Sequence, residues 1–113
     1  MSAATPESLA ALSVRLLDEA RGATSGRAAH TPVGGSGRVL RQTVIALRVG
    51  EQLADHSNPG EATVLVLSGS VELRDGDSTT PGNDGDLLPV PPRPHSLTAL
   101  TDATVLLTVA KLP

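Results

Sequence analysis

Six side chains in this sequence could do chemistry together: His30, His56, Asn58, Glu61, Arg93 and His95. Neutral imidazole is a common ligand for divalent first-row metals, so His56 and His95 form a candidate metal pair. His30 is a third imidazole, and Glu61 a carboxylate close to His56. Asn58 adds a carbonyl oxygen and shares parity with His56, so on an extended segment both face one side. Glu61 points to the other side of a continuing strand unless a turn at Pro59-Gly60 rotates the backbone. Arg93, held between Pro92 and Pro94, presents a planar fork suited to a carboxylate or phosphate. Each residue also has a plainer role. The two histidines can be pocket groups hydrogen-bonded to each other, to water or to backbone, His30 a solvated strand residue, and Arg93 a surface cation.

Other chemistries find little support. Ser57, Ser68 and Ser96 lack the Gly-x-Ser-x-Gly elbow, and strand neighbours of a histidine point away from it. The turn Gly34-Gly35-Ser36-Gly37 is followed by the strand-like run Val39 to Val49 rather than by a Lys-Ser or Lys-Thr pair or a helix, so it does not read as a phosphate cradle. Asp75 and Asp77 flank Gly76 and read as a tight turn.

The stretch that must position the candidates runs from Gly50 to His95. It has two halves, each with a glycine, a strand-like apolar segment and a histidine; His56 and His95 meet if their segments are adjacent strands of one barrel. From Val39 onward, short apolar or β-branched runs alternate with turns at Gly50-Glu51, Ser68-Gly69, Asp75-Gly76-Asp77, Pro81 to Gly85 and Thr101-Asp102, the pattern of a jelly roll or closed barrel. Val44 to Leu47, Val64 to Leu67 and Val105 to Leu107 are apolar on both faces, so both faces are buried. One faces the barrel interior. The other needs a cover, either an N-terminal helix or a second subunit, and a homodimer is expected.

That helix is predicted over residues 6–21. Thr5 reads as its N-cap and Pro6 as its first residue, and Leu9, Leu12, Leu16 and Ala20 form one stripe. The chain therefore divides into a helical segment, 1–22, and a β-barrel domain, 23–113.

Composition excludes several classes. A chain of 113 residues has room for one core. With a net charge of −3, no basic cluster and no aromatic residue, it has neither the counterion-releasing surface nor the stacking platform of a nucleic-acid binder. The missing cysteine removes disulfides, thiolate metal sites and cysteine nucleophiles. No window approaches the roughly 18 apolar residues of a membrane span, and no leader pattern opens the chain. A cytoplasmic location is expected, with no membrane partner.

Residues 39–111 resemble the cupin family of double-stranded β-helix proteins. The family's first motif is a glycine, five residues, His-x-His, three or four residues, a glutamate, six residues and a glycine; Gly50, His56 and Gly69 match, while Asn58 and Ala62 stand where the second histidine and the glutamate would be. In the second motif Gly85, Pro91 and His95 match, Arg93 replaces the inner glycine, and the segment is one residue shorter. The resemblance implies an all-β jelly-roll barrel with one N-terminal amphipathic helix, and a site for one divalent transition metal such as Zn, Fe, Mn, Ni or Cu. That site has lost ligands here. The leading expectation is a small-molecule-binding protein with a degenerate metal site, in a sensing or accessory role, with His56, Asn58, Arg93 and His95 facing the ligand. The alternatives are a metal-dependent oxygenase or isomerase using His56 and His95, and a structural dimer whose barrel is filled by its own side chains.

Overall fold

The computed structural model describes residues 5–56 and 60–111, with residues 54–56 described by their backbone. Among the described residues one helix, α1 (Leu9–Gly22), precedes nine strands: β1 (Arg27–Val33), β2 (Leu40–Leu47), β3 (Gln52–His56), β4 (Gly60–Ser68), β5 (Val71–Asp75), β6 (Ser78–Gly82), β7 (Leu87–Pro89), β8 (His95–Ala99) and β9 (Ala103–Lys111). All the pairings are antiparallel. They build a five-stranded sheet in the order β1-β2-β9-β4-β7 and a four-stranded sheet in the order β3-β8-β5-β6. The two sheets face each other as a jelly roll, as the spacing of the turns predicts.

The runs that are apolar on both faces explain the layering. In β2, Ile45 and Leu47 enter the core between the sheets, while Val44 and Ala46 enter a second cluster under α1. In β4, Val64 and Val66 point to the inter-sheet core and Leu65 and Leu67 to the helix side. The helix thus covers the outer face of the five-stranded sheet through Leu12, Leu16 and Ala20. Both clusters are wholly aliphatic, so close interdigitation of Val, Leu and Ile replaces the area that rings usually supply.

The helix starts later than Thr5-Pro6 suggests. Ser8 is the N-cap: its Oγ accepts a hydrogen bond from the Ala11 N–H at 3.1 Å, and Leu9 begins the helix. Thr5 and Pro6 precede it without helical structure. At the other end, Arg21 Nε donates to Asp102 Oδ2 at 2.9 Å, and Asp102 Oδ1 accepts from the Val49 N–H at 2.8 Å. One carboxylate therefore ties the helix end to the β2–β3 and β8–β9 connections, and those two hydrogen bonds hold it below its ordinary pKa, the backbone bond contributing most. The turn expected at Pro81-Gly82 begins instead at Asn83, because Pro81 and Gly82 complete β6 opposite Glu72 and Val71. Among the described residues, no helix is long and apolar enough to cross a membrane.

Candidate functional site

The four-stranded sheet brings His56 and His95 together at the backbone level. β3 and β8 are neighbours, and their register pairs Leu53 with Leu97 and His56 with His95. Three steps along β3 match two along β8. The extra residue is a bulge, and it places position 56 rather than 55 opposite His95. Directly opposed residues on antiparallel strands have Cα atoms about 4.5–5.5 Å apart.

His95 shares parity with Leu97 and Ala99, both in the inter-sheet core, so its ring is directed inward. Its Nδ1 lies 2.9 Å from the Arg93 carbonyl oxygen. A carbonyl only accepts, so Nδ1 donates and the lone pair of the neutral ring resides on Nε2. A backbone contact thereby fixes both the tautomer and the tilt of the ring.

Sequence reasoning gave Asp75 only a turn-forming role. The turn forms as expected, at Gly76-Asp77, and Asp75 flanks it as the last residue of β5, paired with Ser78. It continues the inward series Val71, Leu73, Asp75, a period of two that was readable in the sequence but overshadowed by the Asp-Gly turn signal. The β5–β8 register runs from Val71↔Ala99 to Arg74↔Ser96, and one further step brings Asp75 level with His95. Arg93 then closes on Asp75 as a bidentate fork, Nε to Oδ1 at 2.8 Å and Nη2 to Oδ2 at 2.6 Å. These hydrogen bonds hold the Asp75 carboxyl below its ordinary value; burial opposes them, and the charge of Arg93, together with that of His95 in its protonated form, adds to them. The same pairing raises the Arg93 guanidinium further above its ordinary value.

The depressed carboxyl gives a signed prediction. The pairing contributes fully above the ordinary carboxylate pKa and is lost as pH falls through the lowered one. In a carbon-detected NMR titration, Asp75 should titrate below an unpaired surface aspartate, and Arg93→Ala should return it to the ordinary range. An unshifted Asp75 in the parent protein would show that the fork does not persist in solution.

Around this pair lies a rim cleft of about 370 Å³. Asp75, Ser78, Thr80 and Arg93 form its polar strip, and Leu73, Val90 and the proline run its apolar wall. Ser78 and Thr80 join the site through their register with Asp75 and Leu73; they too were missed, since nothing local marks β6 as the cleft floor.

The other candidates lie elsewhere. Glu61 is exposed on β4 opposite Ala110, on the side of the sheet shared by Leu65 and Leu67, so it does not face inward. His30 pairs with Val44, which packs beneath α1, so it sits on the outer face of the five-stranded sheet, away from His95. Asn58 lies outside the described residues. No cluster of three or more metal-ligating side chains occurs among the described residues. With Glu61 and His30 on outer faces and both Asp75 oxygens committed to Arg93, these residues do not fit the three-ligand set that catalytic metal sites usually keep.

The profile of the cupin domain matches residues 43–110, more than half of the chain. This chain belongs to the cupin family. The cupin is similar to a conserved protein of unknown function from Streptococcus pyogenes, at 30% identity over 80% of this chain and 79% of that one, with a TM-score of 0.72. It is similar to an RmlC-like cupin from Desulfovibrio desulfuricans, at 29% identity over 74% and 81% of the two chains and a TM-score of 0.63. A salicylate 1,2-dioxygenase from Pseudaminobacter salicylatoxidans matches at 25% identity and a TM-score of 0.73; the match covers 88% of this cupin but only 33% of the dioxygenase chain. No curated protein matches the chain.

Proposed function

We propose that this cupin is a small-molecule-binding protein, with a sensing or accessory role, whose ligand docks in the rim cleft beside His95. The supporting observation is the Asp75–Arg93 fork set into an otherwise largely apolar wall. Ligand pockets of this kind combine an apolar lining with a few placed polar groups. Two of the five guanidinium N–H groups are used on Asp75. A carboxylate or phosphate on the ligand is the natural partner for Arg93, with Ser78 and Thr80 hydroxyls beside it and the ligand's apolar body against Leu73 and Val90.

A panel of small carboxylates and phosphates with apolar bodies tests this reading by thermal shift. A ligand at 100 times its Kd stabilises the folded state by about 2.7 kcal/mol, which for a domain of this size raises Tm by roughly 10 °C or more. The gain should be indifferent to chelator and should vanish in Arg93→Ala. A gain that Arg93→Ala leaves intact would remove the cleft from consideration.

A second reading is a metal-dependent oxygenase or isomerase. It is favoured by the His56–His95 register and by the likeness to a dioxygenase. Elemental analysis of chelator-stripped protein, dialysed against zinc, iron, manganese, nickel or copper, separates the two. About one metal per chain, lost in both His56→Ala and His95→Ala, would favour the enzyme.

A further inference from the structure

The fork in the rim cleft takes Nε and Nη2 of Arg93. The N–H groups left over are both of those on Nη1 and the second one on Nη2. Nη1 and Nη2 together make another bidentate edge at the tip of the side chain, open to a carboxylate or to two oxygens of a tetrahedral anion. The Arg93 side chain is 64% exposed and that of Asp75 24%, so an incoming anion meets this tip first.

Resting on the docking of a ligand at Arg93 proposed above, we infer that the cleft selects a carboxylate and rejects a phosphate dianion, and that Asp75 sets the choice. Asp75 and Arg93 are the only charged residues lining the cleft among the described residues, so their formal charges cancel before a ligand arrives. The two edges of the guanidinium share Nη2, which places an anion on the open edge within a few ångströms of the Asp75 carboxylate. Asp75 is also held in place from behind, since its backbone is paired with Ser78 in the β5–β6 ladder. The pull on a ligand grows in proportion to its charge and is largely cancelled by Asp75, whereas the cost of stripping its water grows as the square of that charge. A second negative charge therefore loses more than it gains. The net charge of −3 on the chain acts in the same direction.

Calorimetric titration with hexanoate, hexanesulfonate and hexyl phosphate tests this at about pH 8, where a phosphate monoester is a dianion. The three share one apolar body, and the sulfonate is tetrahedral but singly charged, which separates charge from shape. Hexanoate and hexanesulfonate should each bind the parent protein about tenfold more tightly than hexyl phosphate. Asp75→Asn should move that ratio about tenfold toward the phosphate, because the dianion is relieved of two repulsions and the monoanion of one. Any loosening of Arg93 in this variant affects the three probes alike and leaves the ratio to report charge. The inference is overturned if the phosphate binds the parent as tightly as the carboxylate, if the sulfonate follows the phosphate, or if Asp75→Asn leaves the ratio unchanged. Binding of none of the probes, or binding that survives Arg93→Ala, would remove the cleft as a ligand site and the inference with it.

Discussion

Gly69→Ala should destabilise the fold by about 3 kcal/mol or more, the sum of a strained backbone and a steric conflict. Gly69 turns the chain from β4 into β5 at φ +88°, and a Cβ there would stand 2.3 Å from the Asp102 carbonyl oxygen and 2.9 Å from the Ala103 Cα. Both obstacles are backbone, so no side chain can swing aside. The turn is also anchored on both sides, with the Gly69 N–H bonded to Asp84 and the Ser70 N–H to Thr101. Gly76→Ala is the control: its φ is +60° but nothing lies within 4 Å of the added carbon. It should cost only the strain, about 1–2 kcal/mol. Urea unfolding followed by far-UV circular dichroism measures both, and equal losses would show that the close approach of Asp102 does not exist in solution.

Leu16→Ala should cost about 2–5 kcal/mol, the range for deleting a buried leucine where the surroundings collapse only partly. Leu16 is 1% exposed and packs into the cluster of Val44, Ala46 and Leu106. No aromatic ring nearby can rotate to fill the gap. The loss should be concentrated in α1, whose amides should exchange hydrogen faster than those of β4 and β9, because the inter-sheet core does not include Leu16. Val14→Ala, on the exposed side of the same helix, should change monomer stability little. If exchange rose equally in β4 and β9, the helix and the barrel would be one cooperative unit rather than two layers.

The parts of this structure legible in the sequence are those set by local pattern. Turn residues at Gly50, Gly69, Gly76 and Gly85 divide the chain into strands, and runs such as Val44 to Leu47 state that two faces must be covered. Parity alone set Glu61 on the face opposite to Ala62, the position where the family's glutamate would stand, and the structure keeps it outside. What could not be read was set by pairing across distance. The level of Asp75 with His95 follows from the β5–β8 register, and its contact with Arg93 joins the end of β5 to the β7–β8 connection. The start of α1 was placed too early: Thr5 was read as the cap, while Ser8, three residues on, is the residue that caps the helix. His30 stood only as a third candidate beside His56 and His95, and the sequence does not say which sheet its strand joins.

The order of the strands has one more consequence. Its four lateral borders are β1, β7, β3 and β6, and three of them carry a proline, Pro32, Pro89 and Pro81. The fourth, β3, is five residues long and interrupted by its bulge. A proline offers no N–H to an incoming chain, and a bulge spoils the spacing a new strand would need. Growth of either sheet by strand addition is disfavoured at each of these borders, and open-ended fibre growth is disfavoured by the same residues that end the sheets.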